Sequence, residues 1–191
     1  FNHFLAQKLL ILVCMKIPLK NRKPLTAGLL PLTLLLLTMQ LHAQLPTLQW
    51  ANKYGGSAVD IANRIILCSD GGTVLCGYTT SKDGDVKPST PRDYWDLWVV
   101  KLDKCGNIAW EKSFGGTGYE SARDIVETPD GGFLVLGETN STDGGVVAGY
   151  GATKDIWLLK LNAAGNLSWQ KRYGGTGLDI GNRIKQMFDG N

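Results

Sequence analysis

One seven-residue segment recurs along the chain, and its spacing constrains the fold more than any other feature. The copies are WANKYGG at 50–56, WEKSFGG at 110–116 and WQKRYGG at 169–175, and they begin 60 and 59 residues apart. A period of this length, filled with short apolar runs and glycine turns, is typical of repeat architectures. The chain therefore divides into units of about 50–109, 110–168 and 169–191, the last of which is cut short.

Each full unit has the pattern of four short strands. In the first unit we predict strands at 61–68, 73–80, 96–102 and 108–114, and in the second at 125–128, 133–139, 155–161 and 167–173. Asp70-Gly71 and Asp130-Gly131 separate the first two strands of each unit, and Asp-Gly between such runs is a strong hairpin signal. The third strand is apolar on both faces, as a strand buried between neighbouring sheets must be. With no helical periodicity after residue 43, the pattern predicts an all-β, β-propeller-like fold with antiparallel four-stranded blades of about 60 residues.

The first 43 residues have the layout of a leader. The chain begins with Phe1, and Met15 is followed by four Lys or Arg residues up to residue 23, a leucine-rich run at 29–39 and a small-residue site at Ala43. This layout predicts an upstream segment at 1–14, a Sec-type signal peptide at 15–43 and repeats at 44–191. The apolar run is shorter than the roughly 20 residues that span a bilayer. We expect a secreted or cell-surface protein with no transmembrane segment after cleavage.

The net charge and the positions of the cysteines and histidines exclude several classes of function. All 17 acidic residues follow residue 43, whereas five of the 20 Lys and Arg residues precede it, so the repeats carry a formal charge of −2 and no basic patch for nucleic acid. Cys68 and Cys76 are expected to be buried small hydrophobes. His3 and His42 both precede the cleavage site, which removes Ser–His–Asp and Cys–His triads from the repeats. We predict no metal and no cofactor, apart from a weak calcium pattern described below.

The units resemble a known family of secreted bacterial propeller-type repeat proteins. The resemblance rests on the Trp…Gly-Gly segments, the Asp-Gly-Gly turns, DLWVVKL at 96–102 with DIWLLKL at 155–161, and the Gly-Asn-x-x-Trp segments, and it covers roughly 48–191. Many such proteins carry a C-terminal sorting domain for type IX secretion. The resemblance implies a β-propeller-like domain on or outside the cell envelope and is nearly silent on activity.

Residues that recur in every unit are best explained by the fold. Asp60, Glu120 and Asp179 occupy one position of the three units, and we expect them to accept backbone N–H bonds at turns or to pair with a repeated Lys. Residues that differ between units lie in the loop before the third strand, where binding residues usually sit. The candidate ligand-binding residues in these loops are Asp83, Asp85, Arg92, Asp93, Tyr94, Trp95, Asp143 and Tyr150.

These loop residues suit more than one kind of ligand. The aromatic residues suit stacking on sugar rings or on a partner's surface, and Asp83 with Asp85 is half of a calcium-loop pattern that lacks the distal Glu. The leading hypothesis is a non-catalytic binding or adhesion module for a glycan or surface protein. The alternatives are an extracellular carbohydrate-active enzyme that uses loop carboxylates such as Asp83, Asp93 or Asp143, and a structural spacer. Because propellers typically have 4–8 blades, we also expect further repeats or self-assembly.

Overall fold

The computed structural model describes residues 10–16, 47–87, 94–149 and 153–187, and these residues form an all-β protein. For 10–16 it describes the backbone alone. The strands are β1 (Leu10–Lys16), β2 (Thr47–Tyr54), β3 (Asp60–Leu67), β4 (Thr73–Thr79), β5 (Asp96–Leu102), β6 (Ile108–Phe114), β7 (Glu120–Glu127), β8 (Phe133–Thr139), β9 (Asp155–Leu161) and β10 (Leu167–Tyr173). In the described ranges we find no helix of the length and apolarity needed to cross a membrane.

Two antiparallel four-stranded sheets follow one another in the chain with the same strand order, and the last strand of each, β6 or β10, carries the Trp segment from which the next unit is counted. The first sheet runs β3-β4-β5-β6 and the second runs β7-β8-β9-β10. Gly71 and Gly131 lie at φ +79° and +73° in the hairpin turns, a conformation that glycine adopts without steric cost. The all-β prediction with antiparallel four-stranded units is therefore confirmed. Within the described residues the sheets do not close into a ring.

The first strand of the second unit is longer than the sequence pattern predicts. β7 begins at Glu120, five residues before the expected start at 125. Its pairing with β8 shifts register between Ala122 and Asp124, which is a β-bulge at Arg123. A bulge breaks the two-residue alternation by which a strand is recognised in a sequence. The same shift occurs in β3 at Asn63, so the bulge belongs to the repeat.

The strand β2 carries the same Trp segment as β6 and β10. Whereas β6 pairs with β5 and β10 pairs with β9, β2 pairs with β1. Leu10 pairs with Tyr54 as Leu97 pairs with Phe114 in the first sheet, and both ladders contain a shift near the Trp. The sequence pattern did not predict a strand at 10–16. Residues 17–46, with most of the predicted leader, lie outside the described residues, so its cleavage stays a prediction.

Two apolar cores lie on either side of the first sheet. Leu97 and Val99 of β5 pack into a core shared with the second sheet, where they join Phe133 and Trp157. Trp98 and Val100 face the opposite core, toward β2. Every residue of β5 is buried, as the prediction of a strand apolar on both faces requires. The cysteines Cys68 and Cys76 are buried and free, which confirms their interpretation as small hydrophobes, and Cys105 is exposed and free.

The repeated tryptophan on the last strand of the first sheet packs on the glycine turn between β9 and β10 of the second sheet. Trp110 donates from Nε1 to Ala163 O at 3.0 Å, and its ring contacts Phe133 at 5.7 Å between centroids. A Cβ built on Gly165, at φ +78°, would come within 2.7 Å of the Trp110 ring. The backbone and the ring therefore both require glycine at this position.

This contact predicts an unequal effect of two glycine substitutions. Gly131→Ala has the same backbone strain but only Ala163 Cβ near the added methyl, at 3.9 Å, and should cost about 1 kcal/mol. Gly165→Ala adds displacement of the Trp110 ring and should cost about 2–4 kcal/mol. Urea unfolding of both variants measures the difference, and equal costs would contradict the packing of Trp110 on this turn.

Candidate functional site

The loops that differ between the units gather at one end of the two sheets, which we call the loop end. The connections after β2 and β6, at 55–59 and 115–119, lie against those before β5 and β9, because hydrogen bonds join them. Ala58 N donates to Ser81 Oγ at 3.0 Å, and Gly118 N donates to Ser141 Oγ at 2.7 Å. The opposite end carries the tight turns at 68–72, 103–107, 128–132 and 162–166.

Repeated carboxyl groups, buried in the two sheets and partly buried at Asp179, hold the turns of the loop end. Glu120 accepts hydrogen bonds from Gly116 N at 2.8 Å and from the hydroxyls of Thr139 and Ser141 at 2.7 Å. Asp60 has the equivalent partners in the first sheet, and Asp179 accepts from Gly175 N at 2.8 Å. The sequence prediction that these residues hold turns is confirmed. The repeated lysines pair instead with the hairpin aspartates, as Lys160 does with Asp130 at 2.8 Å.

The described candidate carboxylates bind backbone amides of the loops. Asp83 Oδ1 accepts from Ser57 N, and Asp143 Oδ1 accepts from Thr117 N, each at 2.7 Å. The first of these bonds lowers the pKa of Asp83 below its ordinary value. Asp85 Oδ2 accepts from Gly55 N at 3.1 Å. These groups shape the loops, and among the described residues no cluster of three or more His, Cys, Asp or Glu side chains has the geometry of a metal site.

The described candidate aromatic residues lie together at the seam between the two sheets. Trp95 O accepts a hydrogen bond from Glu120 N at 2.8 Å, which ties the loop before β5 to the start of β7. The Trp95 ring stacks on Tyr78 at 4.3 Å and meets the edge of Tyr119 at 5.7 Å. Tyr94 contacts Tyr119 edge to face at 4.9 Å. We call these four residues the aromatic cluster.

The aromatic cluster remains open to solvent although its rings are held in place. Tyr94, Trp95 and Tyr119 are 46%, 36% and 38% exposed. Offset and edge-to-face contacts of this kind fix ring orientation and each contribute about 0.5–1.5 kcal/mol. The cluster is thus an ordered, exposed aromatic surface, which a ligand can contact without first ordering it.

A charged group lies beside the aromatic cluster in the second sheet. Glu138, on β8, pairs with Lys154 at 2.7 Å and with Arg123 at 2.9 Å. Arg123 is the bulged residue of β7, and bulges commonly re-aim side chains. Lys154 Nζ also lies 5.7 Å from the centroid of the Trp95 ring, within cation–π reach.

The remaining candidate residues are not brought to the cluster by any described contact. Arg92, Asp93 and Tyr150 lie outside the described residues, and their place in the site stays a prediction. Sequence reasoning missed other members of the surface. A comparison of matched positions in the two units would have found most of them. Asn63, Tyr78 and Trp95 of the first unit are replaced by Arg123, Glu138 and Lys154 in the second. The missed residues are Tyr78, Tyr119, Arg123, Glu138 and Lys154.

Grooves between the sheets recur and therefore belong to the fold. One groove of about 360 Å³ lies between β6 and the second sheet, lined by Phe114, Trp157 and Gly165. Its counterpart of about 530 Å³ lies between β2 and the first sheet, lined by Tyr54 and Gly106 among others. Since the same groove forms in both places, the aromatic cluster is the more distinctive candidate site.

Burial raises the pKa of Glu111, the property expected of a catalytic acid. Its carboxyl oxygens accept from Trp98 Nε1 and Lys87 N, both at 3.1 Å, and the residue is buried. Because one oxygen binds the neighbouring strand β5 and the other binds the loop before it, Glu111 stabilises the edge strand β6 of the first sheet.

A search of protein-family models and of curated proteins finds no match to this sequence. The geometry of the loop end is therefore the feature that indicates a function.

Proposed function

We propose that this chain is a secreted or cell-surface propeller-type repeat protein that binds a glycan through the aromatic cluster, without catalysis of its own. The observation that carries the proposal is the exposed, ordered ring surface of Tyr94, Trp95 and Tyr119. Sugar rings present apolar C–H faces that pack on aromatic rings of this kind.

The arrangement of the sheets supports a propeller. Each sheet has the same strand order, and β7 of the second sheet lies beside β3, β4 and β5 of the first. The shared core and the packing of Trp110 on Gly165 give one sheet a defined place against the next. If further units packed on each other in the same relative position, they would produce a radial array of blades.

The size of the exposed surface favours a glycan over a protein ligand. With about 200 Å² for a full aromatic side chain, the three exposed rings offer about 250 Å². A stable protein–protein interface needs about 800 Å² on each partner. A surface of this size suits one or two sugar rings.

The leader pattern supports the proposed location. A basic segment, an apolar run and a small-residue site precede the repeats, as in secreted proteins. The resemblance to secreted bacterial repeat proteins adds type IX secretion as the proposed route to the cell surface.

A binding screen with named oligosaccharides tests the proposal. The probes are hexamers of β-1,4-glucose, α-1,4-glucose, N-acetylglucosamine and galacturonate, measured by calorimetry on the chain. We expect at least one to bind and the double variant Tyr94→Ala/Tyr119→Ala to weaken it at least tenfold, since stacking contributes about 1–3 kcal/mol for each ring by analogy with nucleic-acid bases.

A matched control is available on β10. Trp169 is also an exposed tryptophan with a lysine over its ring, Lys171 at 5.8 Å, but it lies away from the loop end. Trp169→Ala should leave binding unchanged. Equal losses in the two variants, or no binding by any probe, would refute the proposed site.

A further inference from the structure

The charged group beside the aromatic cluster has more positive than negative charge. Glu138 is 1% exposed and accepts from Lys154 Nζ at 2.7 Å and from Arg123 Nη2 at 2.9 Å, whereas the side chains of Lys154 and Arg123 are 27% and 39% exposed. The carboxylate is thus beneath the surface and both cations reach it. Two cations against one carboxylate leave a formal charge of +1.

The neighbouring carboxylates are buried and bound by other groups. Asp155, next to Lys154 in the chain, pairs with Arg172 at 2.7 Å, and Asp124, next to Arg123, pairs with Arg64 at 2.9 Å. Each of these carboxylates therefore has a cation of its own. Glu120, next to Tyr119, is also fully buried and accepts from Gly116 N and the hydroxyls of Thr139 and Ser141. These carboxylates lie beneath the surface, whereas the side chains of Lys154 and Arg123 are partly exposed.

Lys154 connects the charged group to the rings. Lys154 Nζ is 5.7 Å from the Trp95 ring centroid, and Trp95 contacts Tyr119. An ammonium has three N–H donors, and one of those of Lys154 is directed at Glu138. A sugar stacked on the exposed rings would therefore have a cation within reach of its substituents.

We propose that the glycan bound at the aromatic cluster is acidic, with carboxylate groups on its sugar rings that pair with Lys154 and Arg123. This inference rests on the proposed glycan-binding function and names its ligand class. The charged trio is specific to the second unit, since Asn63, Tyr78 and Trp95 occupy the matched positions of the first. The first sheet forms without these charges, so the fold itself does not require them.

A pair of probes with the same sugar rings but different charge tests the inference. Oligogalacturonate and its methyl ester have the same sugar rings, but the ester lacks the negative charges. We expect the acid to bind at least about fivefold more tightly than the ester at low salt, with the difference shrinking as salt is added. Lys154→Gln should lower affinity for the acid about fivefold and reduce the difference in affinity between the acid and the ester. Glu138→Gln removes the buried competitor and should tighten binding of the acid.

Controls separate charge from folding and from the broader proposal. Lys171→Gln removes an exposed lysine that also lies over a tryptophan and should change nothing. Thermal melting of each variant identifies loss of structure. Because unfolding lowers affinity, a gain in affinity for the acid in Glu138→Gln cannot result from loss of structure. Equal binding of acid and ester, with both lost in Tyr94→Ala/Tyr119→Ala, overturns the acidic ligand but keeps the glycan site. Tight binding of the acid that is insensitive to Lys154→Gln and to the ring variants overturns both.

Discussion

Glu120→Ala is expected to destabilise the chain by about 3–5 kcal/mol, because it leaves buried donors without an acceptor. Glu120 is fully buried, and its carboxyl group accepts from Gly116 N, Thr139 Oγ1 and Ser141 Oγ. A buried donor that loses its partner costs about 1–3 kcal/mol. Urea unfolding followed by tryptophan fluorescence measures the effect.

The repeated position supplies a graded control. Asp179 occupies the same place in the third unit but is only partly buried, and its bond to Gly175 N is 2.8 Å. Asp179→Ala should therefore cost about 1 kcal/mol or less. Glu120→Gln keeps the shape and one acceptor oxygen, so its cost should lie between the two. A cost for Glu120→Ala no larger than that for Asp179→Ala would contradict the supporting role of this carboxyl group.

Arg172→Ala is expected to cost about 3–5 kcal/mol, since it leaves the buried Asp155 without its cation. Arg172 Nε lies 2.7 Å from Asp155 Oδ2, and the two side chains are 2% and 0% exposed. Arg172 Nη1 also donates to Ser141 O at 2.6 Å. Among the described residues, Asp155 Oδ1 and Arg172 Nη2 have no further partner, so the pair depends on this one contact.

A double variant separates the pair from packing. Arg172→Ala/Asp155→Asn removes the uncompensated charge and should recover about half of the loss. The pair of Asp130 and Lys160 supplies the comparison, because the Asp130 side chain is 62% exposed, and Asp130→Asn should cost much less than Arg172→Ala. A similar small cost for Arg172→Ala would show that water solvates Asp155 and contradict a buried pair.

The strands and turns were predictable because their signals are local. Each Asp-Gly turn needs a left-handed backbone that Gly71 and Gly131 supply, and the apolar runs beside it correspond to β3, β4 and β8. The start of β7 was not predictable by alternation, because the bulge at Arg123 interrupts it. The pairing of β1 with β2 was missed as well, since residues 10–16 lie in a segment that resembles a leader.

The candidate site was only partly predictable, because it is assembled from both units. Tyr94 and Trp95 stand out as aromatic residues in a variable loop, and the structure places them together. Tyr119 precedes a strand in the next unit, and Glu138 lies within a strand, so neither position looks like a binding loop. Asp83 and Asp143 look like ligand-binding residues, but their carboxylates bind the loop backbone.

The most direct test of glycan binding at the aromatic cluster is an NMR titration of the ¹⁵N-labelled chain with the four oligosaccharide hexamers. The buried indoles of Trp98 and Trp157 are internal references, because they donate to Glu111 at 3.1 Å and to Gln170 at 2.8 Å. We expect the Trp95 indole signal to shift in a saturable way with galacturonate and the two reference signals to stay still. A titration in which no oligosaccharide moves Trp95, or in which the largest shifts fall at Trp169, would contradict the account.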